Sequence, residues 1–216
     1  MATSVRRSFF TRFSLMAAVL VPILYFGAQA AAVPFFPGYS VDREVASVLG
    51  TADSRLPWVF NLGAILTGLA ALAGALGLYC AFRSTANVVL AVLIGISLVA
   101  TGAVSIRAGL FPMPDPRHGD WGFLSLFTVG SPLLYLLGLW RRQGATGIRV
   151  YLALCTFLIL FLVPFLMHRV NVRALQPGTL QRLLAFASFV PIGVVGYYFA
   201  RTDEKEKVGA PGQTDR

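Results

Sequence analysis

Chemistry in this chain can be sought first at its two histidines, His118 and His168. His118 keeps the richer company. It lies in a short link, Gly109 to Trp121, that also holds Pro112, Pro114, Pro116, Asp115, Arg117 and Asp120. An imidazole near carboxylates can act as a general acid or base, a metal ligand or a hydrogen-bond partner. Asp115 followed by Pro116 is a favourable N-cap and N1 pair. It predicts a helix that starts near Arg117 and carries His118 in its first turn. The positive end of the helix dipole there disfavours a charged ring, so His118 is expected to be neutral. The alternative is that His118 bonds Asp115, Asp120 or a loop carbonyl and only fixes the turn. The catalytic candidates are His118, Asp115 and Asp120. The candidates for holding a ligand are Asn61, Arg107, Pro112, Asp115, His118 and Arg173, with the arginines suited to an anionic group such as phosphate.

Other chemistries fit the residues poorly. With no H-x-x-x-H or C-x-x-C spacing, neither a metal site nor a cofactor is expected. Bis-histidine haem would need histidines deep in a bundle, and these two sit at the ends of apolar runs. The only lysines are Lys205 and Lys207, near the C-terminus, which excludes a retinal-type Schiff base within the apolar runs. There is no Gly-x-Ser-x-Gly elbow and no phosphate-binding glycine loop. The apolar runs hold no Asp or Glu, which argues against a proton-coupled pump. Cys80 and Cys155 fall inside such runs and are expected to be small buried thiols.

The elements that must position these groups can be read from composition. The chain is 56% hydrophobic and 12% charged, about half the charged fraction of a soluble domain. Several apolar runs reach the ~18 residues that cross a bilayer as a helix. The fold class is therefore all-α, a polytopic membrane protein built as a six-helix bundle. The expected spans are 13–33, 57–82, 87–106, 121–140, 150–167 and 183–200, followed by a disordered charged tail over 201–216. Ala28-Gln29-Ala30 resembles a signal-peptidase site, but the apolar run is long for a signal peptide and continues through it. Gly130-Ser131-Pro132 should kink the fourth span. Ser40 to Gly50 reads as a short amphipathic helix in the first outer loop, with Ser40 as cap and Val41, Val45, Val48 and Leu49 on one face.

A net charge of +9 would suggest nucleic acid in a soluble chain. Here the basic residues flank apolar runs, as topology signals and headgroup contacts do, and no nucleic acid is expected. The termini and the connections on their side carry most of them, which predicts both termini in the cytoplasm. Gly63, Thr67, Ala71 and Gly74 make a strip of small residues that would admit a partner helix or a second copy of the chain. Ser97, Thr101 and Ser105 form a hydroxyl stripe. They either bond back to their own helix or line one wall of a cleft.

Four short motifs, in order, carry a family likeness. They are Ser47-Val48-Leu49-Gly50, Phe60-Asn61-Leu62-Gly63, Gly109-Leu110-Phe111-Pro112, and Asp115 with His118. In these, from the first span to the sixth, the chain resembles the bacterial multipass family called domain of unknown function 998. The resemblance implies a six-helix inner-membrane protein and no particular reaction. It raises Asn61, Pro112, Asp115 and His118 above their neighbours. One position departs: Val48 stands where a polar or acidic residue would be expected, which removes any carboxylate role there. Three functions are left open. The first is a polar cleft facing away from the cytoplasm that binds or moves a lipid or small amphiphile. The second is a membrane enzyme acting on a lipid or prenyl substrate through His118 with Asp115 or Asp120. The third is an accessory subunit of a membrane complex.

Overall fold

The computed structural model describes residues 9–118, 123–166 and 176–208. Seven α-helices run through them: α1 Phe9–Ala32, α2 Pro57–Arg83, α3 Val88–Leu110, α4 Phe123–Val129, α5 Ser131–Gly138, α6 Thr146–Leu166 and α7 Pro177–Val208. Three 3-10 turns, Val33–Phe35, Ala46–Gly50 and Pro116–His118, occupy the connections. Among the described residues, five helices are long and apolar enough to cross a membrane: α1, α2, α3, α6 and α7.

The fourth expected span is not one helix. It is the pair α4 and α5, interrupted at Gly130. Pro132 has no N–H to give the carbonyl four residues back, at Thr128, so the helical ladder fails there. The last span also differs from expectation. α7 continues to Val208 rather than ending at Ala200. Asp203 to Lys207 are residues that a helix tolerates well, and the first breaker is Gly209. The charged tail is therefore helical over 201–208, and 209–216 lie outside the described residues.

α2 sits between α1 and α3, and its small residues let both approach. A Cβ on Gly63 would meet Ala28 of α1, and one on Gly74 would meet Ala18. On the other side, a Cβ on Gly68 would lie 2.6 Å from the Gly102 carbonyl of α3. The Gly63, Thr67, Ala71, Gly74 face is thus filled by α1 of the same chain, and is not left open for a partner helix or a second copy. Ser14 of α1 uses this closeness. Its hydroxyl accepts from the Gly77 N–H at 2.6 Å and donates to the Ala73 carbonyl of α2. Polar bonds between helices in a bilayer are worth roughly 0.6 kcal/mol each. Here the bond also fixes the register of α1 against α2.

The main core lies toward the end of the bundle where α2 and α7 finish. Phe82 stacks on Tyr135 of α5, ring centroids 6.0 Å apart, and meets Phe199 of α7 edge-on at 5.0 Å. α6 packs against α5 and α7, sends Leu152 into this core, and turns Leu154, Phe157 and Leu160 outward.

The connection from 33 to 56 is not the amphipathic helix expected from Ser40. Within 40–50 only Ala46–Gly50 is helical, as a 3-10 turn, and Val45 before it is extended at φ −65°, ψ 149°. The Ser40 hydroxyl is taken by Asp42 and Arg43. The Val41, Asp42 and Glu44 carbonyls, which an α-helix would need for itself, are taken by residues of α7.

Candidate functional site

At the end of the bundle where α1 and α3 finish and α2 and α7 begin, three of the four sequence motifs meet. Leu49 of the 3-10 turn is fully buried against Ala32, Phe60 and Val59. This seats the following Gly50 against α2. The Asn61 Nδ2 donates to the Gly50 carbonyl at 3.0 Å. A Cβ on Gly50 would collide with the Asn61 amide, so Asn61 and Gly50 require each other. On its other side the backbone of Asn61 abuts Gly109 of α3. Asn61 therefore ties the first connection to α2 at the point where α3 ends. Among the described residues its Oδ1 is buried and has no hydrogen-bond partner.

The link after α3 begins at Phe111 rather than Gly109, because Gly109 and Leu110 are still helical. Pro112 opens a turn in which the Asp115 N–H donates to the Pro112 carbonyl at 3.0 Å, and the Met113–Pro114 peptide is cis. Asp115 is a cap, as the sequence predicts: its Oδ1 accepts the Arg117 N–H at 2.8 Å. The capped element is the 3-10 turn Pro116–His118, and the described part of α4 is Phe123–Val129.

The polar side chains of this link are engaged. Arg117 grips Asp115 through Nε at 3.0 Å and Nη2 at 2.7 Å, and its guanidinium lies 3.9 Å from the centre of the Phe111 ring. Hydrogen bonds from Arg117 hold the Asp115 carboxyl down at about 2, so it is ionised at neutral pH. Arg107, one turn before the end of α3, donates from Nε to the Arg117 carbonyl. The His118 Nδ1 lies 2.9 Å from the Phe111 carbonyl. A carbonyl only accepts, so Nδ1 carries the proton, and in the neutral ring Nε2 keeps a lone pair. Of the hydrogen-bond partners that the sequence offered His118, a loop carbonyl is the one seen among the described residues. Asp120, Arg173, His168 and the start of the expected fourth span lie outside the described residues.

A second cluster was not singled out from the sequence. Arg182, in the second turn of α7, donates from Nη1 to the carbonyls of Val41 at 2.6 Å, Glu44 at 2.9 Å and Gly178 at 3.0 Å. Its Nη2 donates to the Tyr39 hydroxyl. The Thr179 N–H donates to the Asp42 carbonyl at 2.9 Å, and the Gln181 Oε1 accepts the Ala46 N–H at 2.6 Å. Three loop carbonyls press so closely on Gly178 that any side chain there would strike backbone. A Cβ would lie 2.6 Å from the Val41 carbonyl and 2.8 Å from that of Asp42, with Glu44 nearer still. Burial raises the Tyr39 phenol above its ordinary value, against the opposing hydrogen bond from Arg182. A readable signal existed: a cation near a helix N-terminus opposes the dipole and so needs acceptors from elsewhere.

Two hydroxyls of the α3 stripe bond back to their own helix, Ser97 to Ile94 and Thr101 to Ser97, each at 2.8 Å. Thr101 also reaches Thr128 of α4 at 3.3 Å. Ser131 and Tyr135 of α5 are fully buried, and their hydroxyls have no hydrogen-bond partner of ordinary geometry among the described residues.

The family model described as a protein of unknown function, DUF998, matches residues 19–198 of the chain. No curated protein and no solved structure matches.

The Asp115 carboxyl should titrate near 2 by carbon-detected NMR, and Arg117→Ala should move its midpoint up toward the ordinary 3.8. Because the folded value is depressed, the Asp115–Arg117 tie is complete above the ordinary value and is lost as pH falls through about 2; an unshifted midpoint in the native protein would refute the pairing. Arg182→Gln should open the 33–56 connection to proteolysis at a helix-preserving temperature. The expected cost is on the order of 1–3 kcal/mol, the range for hydrogen bonds to a charged donor. Cleavage at the native rate would show that the clasp holds nothing.

Proposed function

We propose that this chain, which belongs to the DUF998 family, is an integral inner-membrane protein that binds or moves a lipid or small amphiphile at the Asn61–His118 end of its bundle. The observation that carries the reading is the state of the link after α3. Arg117 is held by the paired carboxylate of Asp115 and, at its carbonyl, by Arg107 of α3, and His118 is held by the Phe111 carbonyl. Arg117 is 61% exposed, and only part of its guanidinium is used on Asp115. A fixed guanidinium with N–H groups to spare suits an anionic headgroup. The neutral His118 ring adds one acceptor or, when protonated, a further donor. The ligand-binding set on this reading is Asn61, Arg107, Pro112, Asp115, His118 and Arg173, in which Asn61, Pro112 and Asp115 shape the platform.

Binding is favoured over an enzyme that uses His118 with Asp115 or Asp120. A general acid or base works best with a value near the operating pH, and Asp115 is held far below it. It can orient Arg117 but has no proton to give near neutrality.

The six-crossing topology belongs to the same proposal, with α4 and α5 making one broken crossing. Its support is that Arg107, at the end of α3, holds the Arg117 carbonyl shortly before the pair, while just after the pair the Arg142 Nε donates to the Tyr198 hydroxyl, near the end of the apolar part of α7, at 3.0 Å. Both termini then share one face. Arg12, Arg83, Arg141, Arg142, Arg149 and Arg201 fall toward that face, which supports reading it as the cytoplasmic one.

For the ligand, full-length protein in a neutral detergent should bind dodecyl phosphate, and Arg117→Ala should weaken it about tenfold, the worth of one charge-assisted hydrogen bond. His118→Gln should weaken it less, with an unchanged melting temperature. Equal affinity of all three proteins, or equal binding of dodecyl maltoside, would sink the proposal. For the topology, Ala52→Cys and Gly212→Cys in a Cys80→Ala, Cys155→Ala background should respond oppositely in spheroplasts. A membrane-impermeant maleimide should label the first and spare the second; the reverse pattern would invert the protein.

A further inference from the structure

At the other end of the bundle, between α6 and α7, lies a groove of about 410 Å³. Ile148 and Tyr151 of α6 form one wall, Val194, Tyr197 and Tyr198 of α7 the other, and Arg201 closes the line at the end of the span. Its volume falls in the range of small-molecule sites, roughly 300–1,000 Å³. Both walls belong to helices apolar and long enough to cross a membrane, so the groove opens on acyl chains rather than on water. An apolar groove alone would accept any chain. The charges around this one do not suit every headgroup. The Arg201 guanidinium lies 5.5 Å from the centre of the Tyr197 ring, which is itself groove wall, so the cation sits over the groove and not off to the side. On the opposite flank the Arg142 Nε holds the Tyr198 hydroxyl at 3.0 Å, and its guanidinium lies 5.2 Å from the Phe199 ring. No carboxylate is among the residues that line the groove.

We propose that this groove is a site for one anionic phospholipid. A single acyl chain lies along Ile148, Tyr151 and Val194, and the phosphate accepts from Arg201, with Arg142 adding positive potential. Tyr197 and Tyr198 sit where aromatic side chains favour the boundary between chain and headgroup. The site shares no residue with the Asn61–His118 platform, so the two proposals stand or fall separately.

The test uses the full-length protein in nanodiscs of phosphatidylglycerol mixed with phosphatidylcholine. The protein is extracted gently, and retained lipid is read by native mass spectrometry. The wild-type chain should keep phosphatidylglycerol in preference to phosphatidylcholine. Arg201→Ala should cut that preference about fivefold, the effect of one basic residue at an anionic membrane surface. Arg201→Lys should restore most of it. Val194→Trp, which fills the groove from its lipid-facing side, should remove the retained lipid whatever the headgroup, with helix content unchanged by circular dichroism. Retention of phosphatidylglycerol by Arg201→Ala at the wild-type level would overturn the headgroup assignment. Retention by a folded Val194→Trp would overturn the groove.

Discussion

A guanidinium can donate to the carbonyls of Val41, Glu44 and Gly178 together only if the chain that carries them is folded back within its reach. Arg182 imposes that condition on the whole first connection. At a membrane boundary, irregular backbone must find its hydrogen bonds inside the protein, because the apolar phase supplies none. Residues 41–46 find theirs on the first two turns of α7, at Thr179, Gln181 and Arg182. The exchange works in both directions. The first turn of any helix leaves N–H groups unpaired, and the Thr179 N–H is met by the Asp42 carbonyl. A segment that could have wound into its own helix instead completes the start of another.

This bond pattern sets the rest of the loop end. With 41–46 pinned to α7, the next turn must drop Leu49 into the space between Ala32 and Phe60, and Gly50 reaches Asn61. Asn61 in turn fixes where α3 can finish, because Gly109 is the residue that fits against its backbone. The link after α3 then has a fixed root, on which Arg117 is held by Asp115 and the Arg107 side chain, and His118 by the Phe111 carbonyl. The motifs that looked like scattered signatures in the sequence are consecutive steps of one packing problem.

Physical reasons decide which parts could be read beforehand. Apolar length alone located five long helices, since a bilayer admits few other solutions for such runs. The Gly130-Ser131-Pro132 break was legible because proline lacks an N–H wherever it stands. The Asp115 cap was legible because it is local, made within two residues. The 40–50 segment misled for the opposite reason. Its spacing is helical, yet its carbonyls are claimed by residues more than 130 positions away, and no periodicity encodes a partner at that distance. The strip on α2 was read correctly as a close-packing face, but a strip does not say whose helix covers it; α1 does. Arg182 stands near the start of α7, at the Asn61 end of the bundle. Its charge is required for the clasp, so it carries no topological information.

On the two readings proposed above, the two ends of the bundle would recognise ligands under different constraints. At the Asn61–His118 end, the backbone of the connections and most polar side chains already have partners in the protein. What is left for a ligand is charge on fixed guanidinium groups and one imidazole nitrogen, so selectivity there must come from headgroup charge and not from apolar fit. At the α6–α7 end the balance is reversed. The walls are apolar, the volume is large enough for a chain, and a single arginine marks the boundary. A lipid would be held there by its chain and chosen by its phosphate. Two sites built this way would prefer the same class of molecule for different reasons. They would also respond differently to salt: screening weakens the exposed charges that dominate the first site far more than the apolar contacts that dominate the second.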